Sequence, residues 1–145
     1  EAGAQPVQLL ADGEVSMTTG YNGRFFDAMV GEGKPFEIIW DGQYMDMDMF
    51  VIPKEAPHPE AAMEYLKFAT DTQRLADQAK YIAYGPARQS SAALVGMYQD
   101  GKTEMAPHMP TNPDHLKTAV MDDPEFWADH DAELTERFNA WLAGS

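Results

Sequence analysis

Residues 45–49 read Met-Asp-Met-Asp-Met, and the chain then runs apolar through Phe50, Val51 and Ile52 before stopping at Pro53. Strict alternation has a period of two, which a helix of 3.6 residues per turn cannot present as a face. An extended segment can. Asp46 and Asp48 then fall on one side, and Met45, Met47 and Met49 on the other. At a rise of about 3.3 Å per residue the two aspartate Cα atoms lie about 6.5–7 Å apart, near enough for both carboxylates to act on one small cation. Aspartate is depleted in strands, and neighbouring like charges repel unless a cation or a proton relieves them. The competing reading is a half-buried edge strand with its aspartates in water. In that reading the methionines are core filler rather than soft thioether ligands for copper(I).

The rest of the chain is punctuated into short elements. Gln5–Leu10 predicts a short helix, and Asp12-Gly13 a turn into a strand over 14–19. "GYNGR", with Gly20 and Gly23 on either side of Tyr21 and Asn22, predicts a strand-to-helix turn with special backbone angles. "RFFDAMVGEG" reads as a helix ended by Gly31 and Gly33. "PFEIIW" (35–40) and "QYMDMDMFVIP" (43–53) read as two more strands across the turn at Asp41-Gly42. The order β-α-β-β indicates an α/β or α+β chain.

Beyond Pro53 the periodicity turns helical. A helix begins near Pro59, with Ala62, Tyr65, Leu66 and Ala69 as its apolar stripe. Thr70 or Asp71 caps a second, whose inner face is Leu75, Ala76 and Ala79. A short helix is expected around 92–98, a surface connection over 100–113, and another short helix from Asn112-Pro113. The last helix is the plainest, with Asp123 as N-cap, Pro124 at the first helical position and Glu125 in the first turn. Trp127, Leu134, Phe138, Trp141 and Leu142 fall on one side of it.

Composition narrows the function. With 24 acidic against 10 basic side chains the formal net charge is −14. Phosphate contacts need clustered Lys and Arg, so no nucleic-acid partner is expected, whereas cationic or neutral small ligands suit the field of the whole molecule. No cysteine is present, which excludes disulfides, thiolate zinc sites and cysteine nucleophiles. The apolar share of 44% and the 3 Trp, 6 Tyr and 7 Phe are those of a chain with a packed core. The first residues carry neither an initiator Met nor a signal-peptide pattern, so the chain is expected to be a processed product or a fragment.

Motifs for catalysis are missing from the sequence. His58, His108, His115 and His130 have no metal-ligand spacing, "GYNGR" lacks the GK[ST] ending of a phosphate loop, and Ser90 and Ser91 have no G-x-S-x-G context. "DMD" lacks the glycine turn and the closing Glu of an EF-hand loop. Glycoside hydrolysis uses paired carboxylates, but these normally come from different elements. A non-enzyme without cofactor or metal is therefore expected. Tyr21, Trp40, Tyr44 and Tyr84 are aromatics available to flank the methylenes or stack on the cation of a ligand held by Asp46 and Asp48.

Taken in order, "LLADGEVSMTTGYNGR", "MDMDMFVIPK", "AAMEYLKFATDTQRLADQAKYIAYGPA" and "WADHDAELTERFNAWLAG" resemble the C-terminal half of a solute-binding protein. The family is that of the extracytoplasmic receptors of ABC importers, of the spermidine/putrescine type, and the resemblance runs along nearly the whole chain. It implies an α/β, periplasmic-binding-protein-like (type II) fold of two lobes that close on a ligand, of which this chain would be an incomplete C-terminal portion. Residues 1–45 would be part of the second lobe, 46–53 an interlobe crossover strand, and 54–145 the C-terminal helical part of the first lobe. The resemblance implies periplasmic localisation, permease subunits as partners, and a polyamine or related small cationic metabolite as ligand.

Residue by residue, Tyr21 matches a pocket aromatic, Asp48 the amine-binding aspartate, and Tyr84 a pocket tyrosine of that family. Asp46 departs from it, since an aromatic stands there in the polyamine receptors. Arg88 is also outside the pattern and suits a carboxylate, which points to an amino-acid-like or opine-like ligand. The expected ligand-binding set is therefore Tyr21, Asp46, Asp48 and Tyr84, with Asn22, Trp40, Tyr44 and Arg88 secondary. A chain lacking the first half of such a molecule leaves apolar faces uncovered, so association with that half or with a second copy is expected. The rival functions are a carboxylate-based hydrolase such as a glycosidase, and a dimerising structural fragment without a ligand.

Overall fold

The computed structural model describes residues 3–144. Helix α1 spans Gln5–Ala11, with Pro6 in its first turn. Asp12 and Gly13 follow as expected, Gly13 at φ +72, a left-handed turn position that glycine enters without a Cβ penalty. Helix α2 spans Asn22–Phe26 and runs on into a single π turn over Asp27–Gly31, closed by the Glu32 amide donating to the Asp27 carbonyl. Gly33, at φ +69, ends that unit. Gly42 turns the chain at φ +71, whereas Gly20 and Gly23 are not left-handed.

Strand β1 is only Tyr44–Met45, and it pairs in parallel with β2, Val120–Met121, in the register Tyr44↔Val120 and Met45↔Met121. The strands expected over 14–19 and 35–40 are not formed, and the one expected over 43–53 contracts to two residues. A strand exists only when a neighbour completes its ladder, and of these three segments only 44–45 finds a partner among the described residues.

Helix α3 spans Pro59–Ala69, α4 Thr72–Gln78, α5 Gln89–Ala92 and α6 Pro124–Ala143. Both caps read from the sequence are made. The Asp71 carboxylate accepts from the Gln73 and Arg74 amides, and that of Asp123 from the Glu125 and Phe126 amides. The helix expected at 92–98 lies earlier, at 89–92. Buried Ser91 fixes it there by donating to the Thr72 carbonyl at 2.8 Å. The helix expected from Asn112 is one 3₁₀ turn at His115–Lys117.

The core is small. Phe26, 2% exposed, packs with Ala79, Ala83, Met105 and Met109, and Val30, Val95 and Tyr98 lie around them. Residues of 1–45 and of 54–145 thus meet in a single cluster. Around it much apolar surface is uncovered: Met49 is 84% exposed, Val51 80% and Trp141 64%, and α6 buries none of its residues. The methionines of the Met-Asp alternation are therefore not filling a core within this chain. The accessible surface is 10821 Å², against about 7400 Å² for a compact monomer of this mass.

Candidate functional site

The turn that opens α2 is joined to the segment following α4. The Asn22 side-chain amide donates to the Ala83 carbonyl at 2.5 Å. Beside it Gly23 is buried, and a Cβ built there would meet the Tyr84 ring at 2.8 and 3.2 Å and Ile82 at 3.3 Å. Glycine in "GYNGR" is thus required by close approach to a tyrosine, not by an unusual φ. The structure brings Tyr21, Asn22 and Tyr84 into one neighbourhood, with Tyr21 exposed and Tyr84 half-buried. Pro86 is buried and Gly85 lies against Thr111, so the chain after Tyr84 is closely packed.

A second neighbourhood gathers residues 40–46 against 109–127. Trp40 stacks on His115, centroids 4.2 Å apart and planes 8° from parallel, so one face of the indole is covered. The Gln43 amide donates to the Pro110 and His115 carbonyls, and the His115 Nδ1 lies 2.8 Å from the Met109 carbonyl. The Tyr44 hydroxyl donates to the Asp122 carboxylate and accepts from the Trp127 indole N–H. The hydrogen bond to Asp122 raises the phenol above its ordinary 10.0, the Trp127 bond opposes this, and the charge of Asp46 adds slightly to the rise.

Asp46 and Asp48 are exposed. One Asp46 oxygen accepts from the Met47 amide at 2.7 Å, and Asp48 has no protein partner among the described residues. Both carboxylates are therefore open to solvent on the surface of this chain, without a wall behind them. Arg88 is exposed as well. Its Nε donates to the Thr70 carbonyl at 2.6 Å, which leaves the terminal amino groups without a partner among the described residues.

A cavity of about 210 Å³ lies elsewhere, between α1 and the α2–π unit, lined by Gln8, Arg24, Asp27, Glu32 and Lys34 among others. It includes none of the eight site residues read from the sequence. Among the described residues no three His, Cys, Asp or Glu side chains are grouped to hold a metal ion. No helix there is long and apolar enough to cross a membrane.

Sequence reading missed the contacts of Gly23 with Tyr84, of His115 with Trp40, and of Asp122 and Trp127 with Tyr44. Each joins positions 60 or more residues apart, for which no local pattern exists.

Residues 1–111 match the family described as Bacterial extracellular solute-binding protein. The chain is 39% identical over 143 residues to the gamma-aminobutyric acid-binding protein of Pseudomonas aeruginosa, covering 99% of this chain and 39% of that one. It is also similar to the crystal structure of the periplasmic binding protein MotA from A. tumefaciens B6 in complex with glucopine. That likeness has a TM-score of 0.72 at 31% identity, over 90% of this chain and 39% of the other. The chain therefore spans about two-fifths of the length of either relative, and its fold is that of part of a type II periplasmic binding protein. Both relatives are binding proteins rather than enzymes, which sets the hydrolase reading aside.

Proposed function

Because the chain belongs to the bacterial extracellular solute-binding family, we propose that it is the ligand-gripping portion of a periplasmic receptor. The receptor would deliver its ligand to the permease subunits of an ABC importer. The ligand proposed is a small metabolite with a protonated amine, a class that holds both the polyamines and γ-aminobutyrate. The observation that carries the reading is the 39% identity over 143 residues to a protein named for binding gamma-aminobutyric acid. The acidic pair Asp46 and Asp48 adds chemistry that suits an ammonium group.

In this reading Asp48 takes the amine, Asp46 adds a second negative charge, and Tyr21 and Tyr84 flank the methylenes. Arg88, whose terminal amino groups have no partner among the described residues, takes the carboxylate of an amino-acid-like ligand, and a polyamine has no use for it. Tyr44 and Trp40, already engaged with Asp122, Trp127 and His115, serve as the frame of the same face. In the same reading 46–53 would be the crossover between lobes, joining 1–45 to 54–145.

Exposure sets a quantitative condition. An ion pair formed in open water contributes only about 0–1 kcal/mol, so Asp48 grips an ammonium firmly only when a further wall excludes water. The wall proposed is the remainder of a longer protein, which would also cover the surplus apolar surface. In that setting Asp48→Ala should cost about 2–5 kcal/mol, or 30-fold and more in Kd. Calorimetric titration of the longer protein with putrescine, spermidine and γ-aminobutyrate tests this. Arg88→Ala should weaken γ-aminobutyrate alone. An Asp48→Ala protein that binds the wild-type ligand with unchanged affinity removes Asp48 from the site.

A second reading rests on the surplus surface itself. A self-associated fragment would bury it equally well, and light scattering distinguishes the two, since a dimer formed without ligand and indifferent to amines favours the structural role.

A further inference from the structure

The carboxamide of Asn22 is spent on the protein. It donates at 2.5 Å to the Ala83 carbonyl, 61 residues away, and it is half-buried rather than facing open solvent. Its neighbour Gly23 is buried against Tyr84, where a methyl group would stand 2.8 Å from the ring carbon Cε1 and 3.2 Å from Cζ. Contacts under 3.0 Å are not tolerated, and the atoms that must give way belong to a stiff ring rather than to a flexible chain end.

We propose that Asn22 and Gly23 are positioning residues for Tyr84: the Asn22 amide staples the turn before α2 to the backbone beside the ring, and the bare Cα of Gly23 forms the surface on which the ring rests. The pair fixes how far Tyr84 stands from Tyr21, one residue before the staple, and so sets the width between the two aromatics. This deepens the functional reading above and rests on it. It also reassigns Asn22, which touches no ligand and acts through Ala83.

The two roles for Asn22 predict opposite results. A side chain that contacted an ammonium group would keep or improve binding as Asn22→Asp, because the change adds a negative charge. A staple fails in that variant, because a carboxylate oxygen replaces the donor and faces the Ala83 carbonyl, acceptor against acceptor. Asn22→Asp should then weaken binding more than Asn22→Ala does.

For Gly23 the test is a double-mutant cycle with Tyr84. The longer protein is used as wild type, Gly23→Ala, Tyr84→Ala and the pair. Each is titrated calorimetrically with γ-aminobutyrate and with putrescine, and each is unfolded in urea. Gly23→Ala should weaken binding tenfold or more in the wild-type background and by less than twofold when Tyr84 is already Ala, since the ring it strikes is gone.

Coupling in the urea midpoint without coupling in affinity shows a packing contact that does not serve the site, and overturns the proposal. An Asn22→Asp protein that binds as well as wild type overturns it too. A wild-type protein that takes up neither probe instead overturns the functional reading, and with it the purpose assigned to the two residues. The urea midpoints still report in that case whether Gly23 and Tyr84 pack as described.

Discussion

Two phenylalanines, truncated in the same way, should behave in opposite ways. Phe26 is 2% exposed and sits among Ala79, Ala83, Met105 and Met109. Its ring also meets Tyr98 edge-on at 5.2 Å and His108 at 5.0 Å. Phe138, on α6, is 56% exposed. Removing the Phe26 ring loses nearly all of its transfer free energy and leaves a cavity that small alanine neighbours cannot fill, about 3–5 kcal/mol in all. Each aromatic edge contact accounts for about 0.5–1.5 kcal/mol beyond its buried area. At Phe138 half the ring is already in water, and the gain from alanine as the better helix former offsets the loss of its tilted, exposed contact with Trp141 at 5.6 Å, so the change should stay within about 0.5 kcal/mol. Urea unfolding of the 145-residue chain followed by far-ultraviolet circular dichroism reads both. With a slope of about 2 kcal/mol per molar, Phe26→Ala should lower the midpoint by about 2 M at unchanged slope, and Phe138→Ala should leave it in place. Equal midpoints for the two variants, or a shift below about 0.5 M for Phe26→Ala, would show that the cluster around Phe26 is not what holds the chain together.

Asp123→Ala removes the acceptor of two amides at 3.1 Å and should cost about 1 kcal/mol, visible as lost helical signal from α6, while Asp123→Ser retains most of it. Burial, with a smaller contribution from the charge of His115, holds His108 below its ordinary 6.5. The unfolded chain therefore takes up the proton first, so this contribution is complete above pH 6.5 and is lost as the pH falls through the lower folded value. Urea midpoints measured from pH 7.5 to 5 should fall more steeply for the wild type than for His108→Phe, and parallel lines would refute the assignment. At Gly85 a Cβ would run into the Thr111 side chain, meeting both Oγ1 and Cγ2. Gly85→Ala should therefore destabilise by about 1–3 kcal/mol. Adding Thr111→Gly should recover part of that loss, whereas simple additivity would show that the contact is not its cause.

What could be read along the chain was what depends on near neighbours. The caps at Asp71 and Asp123, the prolines that open α3 and α6, and the glycine turns at 13, 33 and 42 are all satisfied within four residues of themselves. The strands depart from expectation because alternation describes a readiness to pair, and pairing is decided elsewhere. Val120–Met121 has no strand-like run around it, yet it is the partner that β1 finds. The same limit governs the site. Tyr21, Asp48 and Tyr84 are candidates for it only through motifs that resemble a family. The staple from Asn22 to Ala83 spans 61 residues and leaves no mark in either local sequence. Gly23 suggests flexibility in the sequence, and in the structure it is its size that admits the Tyr84 ring.

Helix α6 has 20 residues, a rod about 30 Å long, and Trp127 ties its N-terminal end to Tyr44. That bond marks a pivot near one end of the rod. From Trp127 to Ala143 is about 24 Å, so a tilt of about 10° about that pivot would carry the far end through about 4 Å, while Trp127 hardly moves and Trp141 makes most of the journey. The two indoles on one helix therefore stand as a fixed and a travelling reporter.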